Sequence, residues 1–120
     1  FCSGESQLEE ELETKIKTIS VEEYLALRSS GEAHQLIDVR EPFEYEIAEM
    51  GGELAPLGSI ESYVDRIAKD RKVIVHCKAG KRSADAIERL QSAFGLNNLY
   101  NLEGGILAWA EKVDADLAKY

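Results

Sequence analysis

The chain has 120 residues, enough for one domain with its own core, and its apolar fraction of 44% is that of an ordinary globular protein. A formal charge of −9 argues against nucleic acid as a partner, because phosphate binding needs a basic surface. No apolar run approaches the roughly 18 residues of a membrane span, and no basic-then-apolar signal segment opens the chain, so no membrane partner is expected.

With Phe1 in place of a start methionine, the sequence is expected to be an excised piece of something longer. Residues 5–13 carry Glu5, Glu9, Glu10, Glu11 and Glu13, a composition that reads as an acidic linker or arm over residues 1–17, with the folded domain over 18–120. Cys2 lies on that arm and reads as an incidental thiol. Ser20 and Glu23 form a capping box for a helix carrying Tyr24, Leu25 and Leu27, which Ser29-Ser30-Gly31 ends. Gln35–Val39 is a short buried-type strand with Asp38 and Arg40 at or just past its carboxyl edge. Glu41-Pro42 starts a helix, and Gly51-Gly52 breaks it. Glu53–Leu57 reads as a strand. Ser59–Ala68 reads as a helix with Ile60, Tyr63, Val64 and Ile67 on one side. Residues 72–76 form a strand. A helix over 83–94 presents Ala84, Ala86, Ile87, Leu90 and Phe94, and Gly95 caps it. Asn98–Leu102 is the last strand, and a helix follows Gly104-Gly105, with Trp109 in the core. Strands alternating with helices define an α/β domain with a mainly parallel central sheet and helices on both faces. Sites in such folds gather outside the carboxyl ends of the strands.

The segment His76-Cys77-Lys78-Ala79-Gly80-Lys81-Arg82-Ser83 sits in that place, between the strand Val73-Ile74-Val75 and the helix that follows. Successive backbone N–H groups of a tight loop form a nest for anionic atoms, and the helix N-terminus adds partial positive charge behind them. Four residues separate Cys77 from Arg82, one fewer than in the loop of a cysteine-dependent phosphatase. The smaller loop is expected to hold a sulfur atom on Cys77 rather than a phosphoryl group. Lys78, Lys81 and Arg82, with Arg71 and Lys72 before the strand, make a cationic funnel that draws an anionic sulfur donor or an acidic peptide tail. The inward N–H groups, the helix N-terminus and the three loop cations all favour the thiolate, the reactive form of a group whose free pKa is about 8.5. Arg82 is expected to pair with the anionic donor, while Lys78 and Lys81 steer it. Gly80 supplies a backbone angle that a side chain would oppose, Ala79 keeps the nest uncrowded, and Ser83 caps the helix and bonds within the loop. His76 reads as a packed histidine and His34 as a surface one. Neither belongs to a metal-ligand pattern.

The Cys77–Ser83 loop resembles the active-site loop of the rhodanese-like sulfurtransferases. Two further segments are similar to that family: Leu36-Ile37-Asp38-Val39-Arg40-Glu41-Pro42-Phe43-Glu44-Tyr45, and Leu102-Glu103-Gly104-Gly105-Ile106-Leu107-Ala108-Trp109. The resemblance covers roughly residues 18–112. It departs at Glu49-Met50-Gly51-Gly52-Glu53, where the family commonly has His-Ile-Pro-Gly-Ala. It implies a persulfide on Cys77, no metal and no organic cofactor, and Asp38 and Arg40 supporting the loop. More narrowly, the chain resembles the C-terminal module of adenylyltransferases of molybdopterin or thiazole biosynthesis. That likeness implies a fused adenylyltransferase domain, of which Phe1-Cys2 is a remnant, and an adenylated ubiquitin-like sulfur-carrier protein as acceptor. A reducing cytoplasmic compartment fits a lone reactive thiol. A noncatalytic interaction module is the alternative. A cysteine phosphatase or arsenate reductase is disfavoured by loop length.

Overall fold

Residues along each central strand point alternately to opposite faces, and this alternation builds two separate cores. Ile37, Val73, Val75 and Leu99 face one way and pack with Ile60, Ile67, Ala86, Ile87 and Leu90. Leu36 and Ile74 face the other way and meet Val21, Tyr24, Leu27, Ile106 and Trp109. Each fully buried aliphatic side chain in these clusters contributes about 1.5–3 kcal/mol of transfer free energy.

The computed structural model describes residues 16–118. In chain order the elements are β1 (Lys17–Ile19), α1 (Val21–Ser30), β2 (His34–Asp38), α2 (Pro42–Ile47), β3 (Glu53–Leu54), a 3₁₀ segment (Leu57–Arg66), β4 (Lys72–His76), α3 (Lys81–Phe94), β5 (Leu99–Leu102) and α4 (Gly105–Lys112). The sheet order is β1-β5-β4-β2-β3, and every pairing is parallel. Helices α1 and α4 cover one face, with the 3₁₀ segment and α3 on the other. β4 is the middle strand, so the loop after His76 opens at the centre of the carboxyl edge. No helix among the described residues is long and apolar enough to cross a membrane.

Local chemistry explains the expected elements. Ser20 Oγ accepts from the Glu23 amide at 3.0 Å while Glu23 accepts from the Ser20 amide at 2.9 Å, closing the capping box of α1. Pro42 occupies the first turn of α2.

Four details differ from the sequence reading. The edge strand β1 was not anticipated: it is three residues long and mostly exposed, so it carries no apolar run. Of the residues assigned to the arm, Lys17 is the first residue of β1 and Ile16 packs against the core beside it, while residues 1–15 with Cys2 lie outside the described residues. β3 stops at Leu54 instead of Leu57. The expected helix over 59–68 is a 3₁₀ segment broken at Ser59, whose φ of −128° is not helical. Its apolar spacing suits either helix type, so pattern alone does not separate them. Finally, α3 begins at Lys81. Gly80 is its N-cap, and Ser83 is its third residue rather than the cap.

Candidate active site

Cys77 leaves β4 only 1% exposed. The chain turns back at Gly80, whose φ of +112° is costly for any residue with a side chain. That turn brings the Gly80 N–H to 3.0 Å from Cys77 Sγ. The loop is fixed from the opposite side by α4. Ile106 N–H donates to the Cys77 carbonyl at 2.9 Å, and Leu107 N–H donates to the Lys78 carbonyl at 3.1 Å. The first N–H groups of a helix have no partner inside it, and here the loop carbonyls take two of them. With those carbonyls drawn to α4, the N–H groups of Ala79, Gly80 and Ser83 are left to face the sulfur. Gly105 makes the approach possible: a Cβ there would stand 2.6 Å from the Lys78 carbonyl oxygen.

Burial alone would push the Cys77 thiol up. Hydrogen bonding outweighs it and holds the thiol below its ordinary value, through the Ser83 side chain first and then the N–H groups of Ser83, Gly80 and Ala79. Ser83 Oγ lies 3.4 Å from Sγ, 3.1 Å from the Gly80 carbonyl and 2.5 Å from Asn101 Oδ1. Asn101 Nδ2 donates to the Gly80 carbonyl at 3.1 Å. These short contacts are the chief causes that lower the thiol.

Lys78, Ala79 and Lys81 are exposed at the rim. Arg82 is engaged: its two terminal nitrogens bond both Glu44 carboxylate oxygens, at 2.7 and 3.0 Å. Arg82 holds the Glu44 carboxyl below its usual range, and Glu44 in turn raises the guanidinium, with Cys77 a smaller contributor. An anionic donor reaches Arg82 only in competition with Glu44.

Behind the loop, Asp38 and Arg40 form a wholly buried pair at 2.6 Å. Arg40 also donates to the Ala48 carbonyl at 2.6 Å, tying the end of α2 to the end of β2. His76 is buried beside them. Burial pushes its imidazolium pKa down against the opposing pull of Asp38, so the ring is neutral at pH 7. Its Nε2 stands 3.7 Å from Asp38 Oδ2 without a hydrogen bond. His34, read as a surface residue, is half-buried and meets the Tyr24 hydroxyl at 3.2 Å. A surface cavity of about 590 Å³ opens elsewhere, lined by Arg28, His34, Arg66 and Arg71 among others, and no loop residue lines it.

Sequence reasoning missed Glu44, Asn101 and Gly105. Glu44 and Gly105 lie inside the segments that carry the family resemblance, and that was the available signal. Asn101 gave one weaker sign, a polar residue placed between Leu99 and Leu102 in a buried strand.

The model of the rhodanese-like domain matches residues 20–112. This chain belongs to that family. The "Probable adenylyltransferase/sulfurtransferase MoeZ" of Mycobacterium tuberculosis is 36% identical to it over 109 residues, covering 88% of this chain and 28% of MoeZ. The "Uncharacterized protein YqhL" of Bacillus subtilis is 35% identical over 101 residues, covering 83% of this chain and 77% of YqhL. A crystal structure of a rhodanese-related protein from Thermoplasma volcanium superposes with a TM-score of 0.71 at 30% identity, covering 87% of this chain and 99% of that one. The chain therefore spans little more than a quarter of MoeZ but most of the two smaller proteins. Rhodanese-like modules with sulfurtransferase names are its relatives.

Proposed function

We propose that this domain is a sulfurtransferase that carries a persulfide on Cys77. The observation that carries the reading is the buried Cys77 sulfur with the Gly80 N–H 3.0 Å away, in a loop closed by four residues before Arg82. In the first step the Cys77 thiolate attacks the outer sulfur of thiosulfate or of a partner's persulfide. A new S–S bond forms, the donor's S–S bond breaks, and sulfite or the donor thiolate leaves with the electron pair. The loop N–H groups face the charge on the terminal sulfur of Cys77-S-S⁻, as they faced the thiolate. In the second step a nucleophile such as cyanide takes that sulfur and returns the Cys77 thiolate. Lys78 and Lys81 steer the anionic donor, Ala79 and Gly80 line the nest, and Ser83 stands 3.4 Å from the sulfur. Arg82 holds the loop to α2 through Glu44. Asp38 and Arg40 fix the floor beneath it.

The likeness to MoeZ supports a more specific acceptor, the adenylated C-terminus of a small sulfur-carrier protein. There the persulfide attacks the acyl carbon and releases AMP. A reducing thiolate then attacks Cys77 Sγ, so that the acyl disulfide breaks and the carrier leaves as a thiocarboxylate, and a second thiolate takes the first from the mixed disulfide and returns the Cys77 thiolate. The test is thiocyanate formation from thiosulfate and cyanide. Wild type is expected to turn over, Cys77→Ala to be inactive though folded, and Cys2→Ala to match wild type. Turnover by Cys77→Ala would remove Cys77 from the chemistry.

A further inference from the structure

The hydrogen positions around Cys77 follow from counting donors and acceptors. The Gly80 carbonyl can only accept, so the Asn101 atom 3.1 Å from it is the amide nitrogen. That fixes the other end of the amide: Oδ1, also only an acceptor, faces Ser83 Oγ at 2.5 Å. Reversing the amide would set two acceptors against each other. The Ser83 hydroxyl has two acceptors in reach, the Gly80 carbonyl at 3.1 Å and Asn101 Oδ1 at 2.5 Å, and the shorter contact takes the hydrogen. A hydroxyl has one hydrogen, so Ser83 turns a lone pair toward Cys77 Sγ at 3.4 Å. The resting thiol then gives its S–H hydrogen to Ser83 and receives the Gly80 N–H at 3.0 Å.

The geometry points to Asn101 as a positioning residue that restrains ionisation of Cys77 by holding the Ser83 hydroxyl hydrogen away from the sulfur. A thiolate needs that hydrogen. To supply it, the hydroxyl swings from Asn101 Oδ1 to Sγ and leaves Oδ1 without its donor in a side chain only 9% exposed. A hydroxyl hydrogen given to the sulfur favours the thiolate, so Asn101 withholds that effect. The charged and titratable groups around the site are Lys78 and Lys81 of the loop, Arg82 of α3 with Glu44 of α2, and Asp38, Arg40 and His76 behind it. Arg82 is paired with Glu44 and Arg40 with Asp38, so replacing Asn101 leaves those two pairs in place. A sulfur bonded to a second sulfur carries no hydrogen to place and little charge, so Ser83 stays on Asn101 in the loaded form. Asn101 thus favours the loaded over the empty, ionised Cys77, a consequence that rests on the persulfide reading, whereas the ionisation itself does not.

The test is the pH dependence of iodoacetamide alkylation, read by mass on the Cys77 peptide so that Cys2 does not contribute. Asn101→Ala is expected to lower the midpoint and raise the thiolate fraction severalfold at any pH well below it. In a Ser83→Ala background the same substitution is expected to change nothing, because the hydrogen it releases is gone. A midpoint that rises, stays, or falls equally in both backgrounds overturns the inference. If Asn101→Ala does not fold, the infrared S–H stretch decides. A band at lower frequency in wild type than in Ser83→Ala shows the thiol donating to Ser83, and equal frequencies contradict it. Alkylation does not require sulfur transfer, so these results stand apart from the persulfide assay.

Discussion

Arg82 reaches from the first turn of α3 to Glu44 of α2, and the two-point pair occupies the guanidinium that sequence assigned to an anionic donor. The Glu44 carboxyl is held below the ordinary glutamate value of 4.5, chiefly by Arg82. A depressed carboxyl stabilises the fold fully above the unfolded value and loses that contribution as pH falls through the folded one. Glu44→Ala should therefore cost about 1–3 kcal/mol at neutral pH, at the lower end because Arg82 is a third exposed, and little in acid. Urea unfolding at pH 7 and pH 3 checks this. The same substitution frees Arg82, so the KM for thiosulfate should fall severalfold. Lost stability with an unchanged KM would mean that Arg82 does not meet the donor. Sequence put three cations within five residues of Cys77 but could not show that Arg82 is paired, because its partner lies 38 residues away. Asn101 escaped for the same reason: its partners, the Gly80 carbonyl and the Ser83 hydroxyl, are brought to it only by the fold.

At the level of elements, the meeting of α4 with the loop is the least forgiving contact. Gly105 has a φ of +57°, and an added Cβ would collide with the Lys78 carbonyl oxygen at 2.6 Å. Gly105→Ala should cost more than about 1 kcal/mol and should push the Ile106 and Leu107 N–H groups off their carbonyls. The loop N–H groups would then lose their aim at the sulfur. The expected readouts are a lower urea midpoint and a Cys77 alkylation midpoint moved upward toward that of free cysteine. An unchanged alkylation midpoint would show that α4 does not orient the loop. What sequence could and could not give at this scale follows from burial. β2, β4 and β5 were readable because both faces of the central sheet are covered, which leaves Leu36-Ile37, Val73-Ile74-Val75 and Leu99 with Leu102 as buried apolar positions. β1 sits at an edge and β3 is two residues long, so neither carries that signature.

For the molecule as a whole, the Asp38–Arg40 pair couples the sheet to the rim of the site. It is entirely buried, and Arg40 also binds the carbonyls of Glu44 and Ala48 along α2. Removing one member of a buried pair leaves an uncompensated charge, so Arg40→Ala should cost about 3–5 kcal/mol. Arg40→Lys should not rescue it, because an ammonium cannot make the same forked set of bonds. A denaturant midpoint within error of wild type for either variant would remove the pair from the fold's support. The α/β architecture with its covered parallel sheet was legible from the alternation of strands and helices, and the family from three short segments. The claim that joins fold to function is that Cys77 carries sulfur. Treating the protein with thiosulfate labelled in its outer sulfur and weighing the Cys77 peptide tests it most directly. The expected result is a gain of one labelled sulfur atom that cyanide removes as thiocyanate, while an unmodified Cys77 peptide, or label retained by Cys77→Ala, would contradict it.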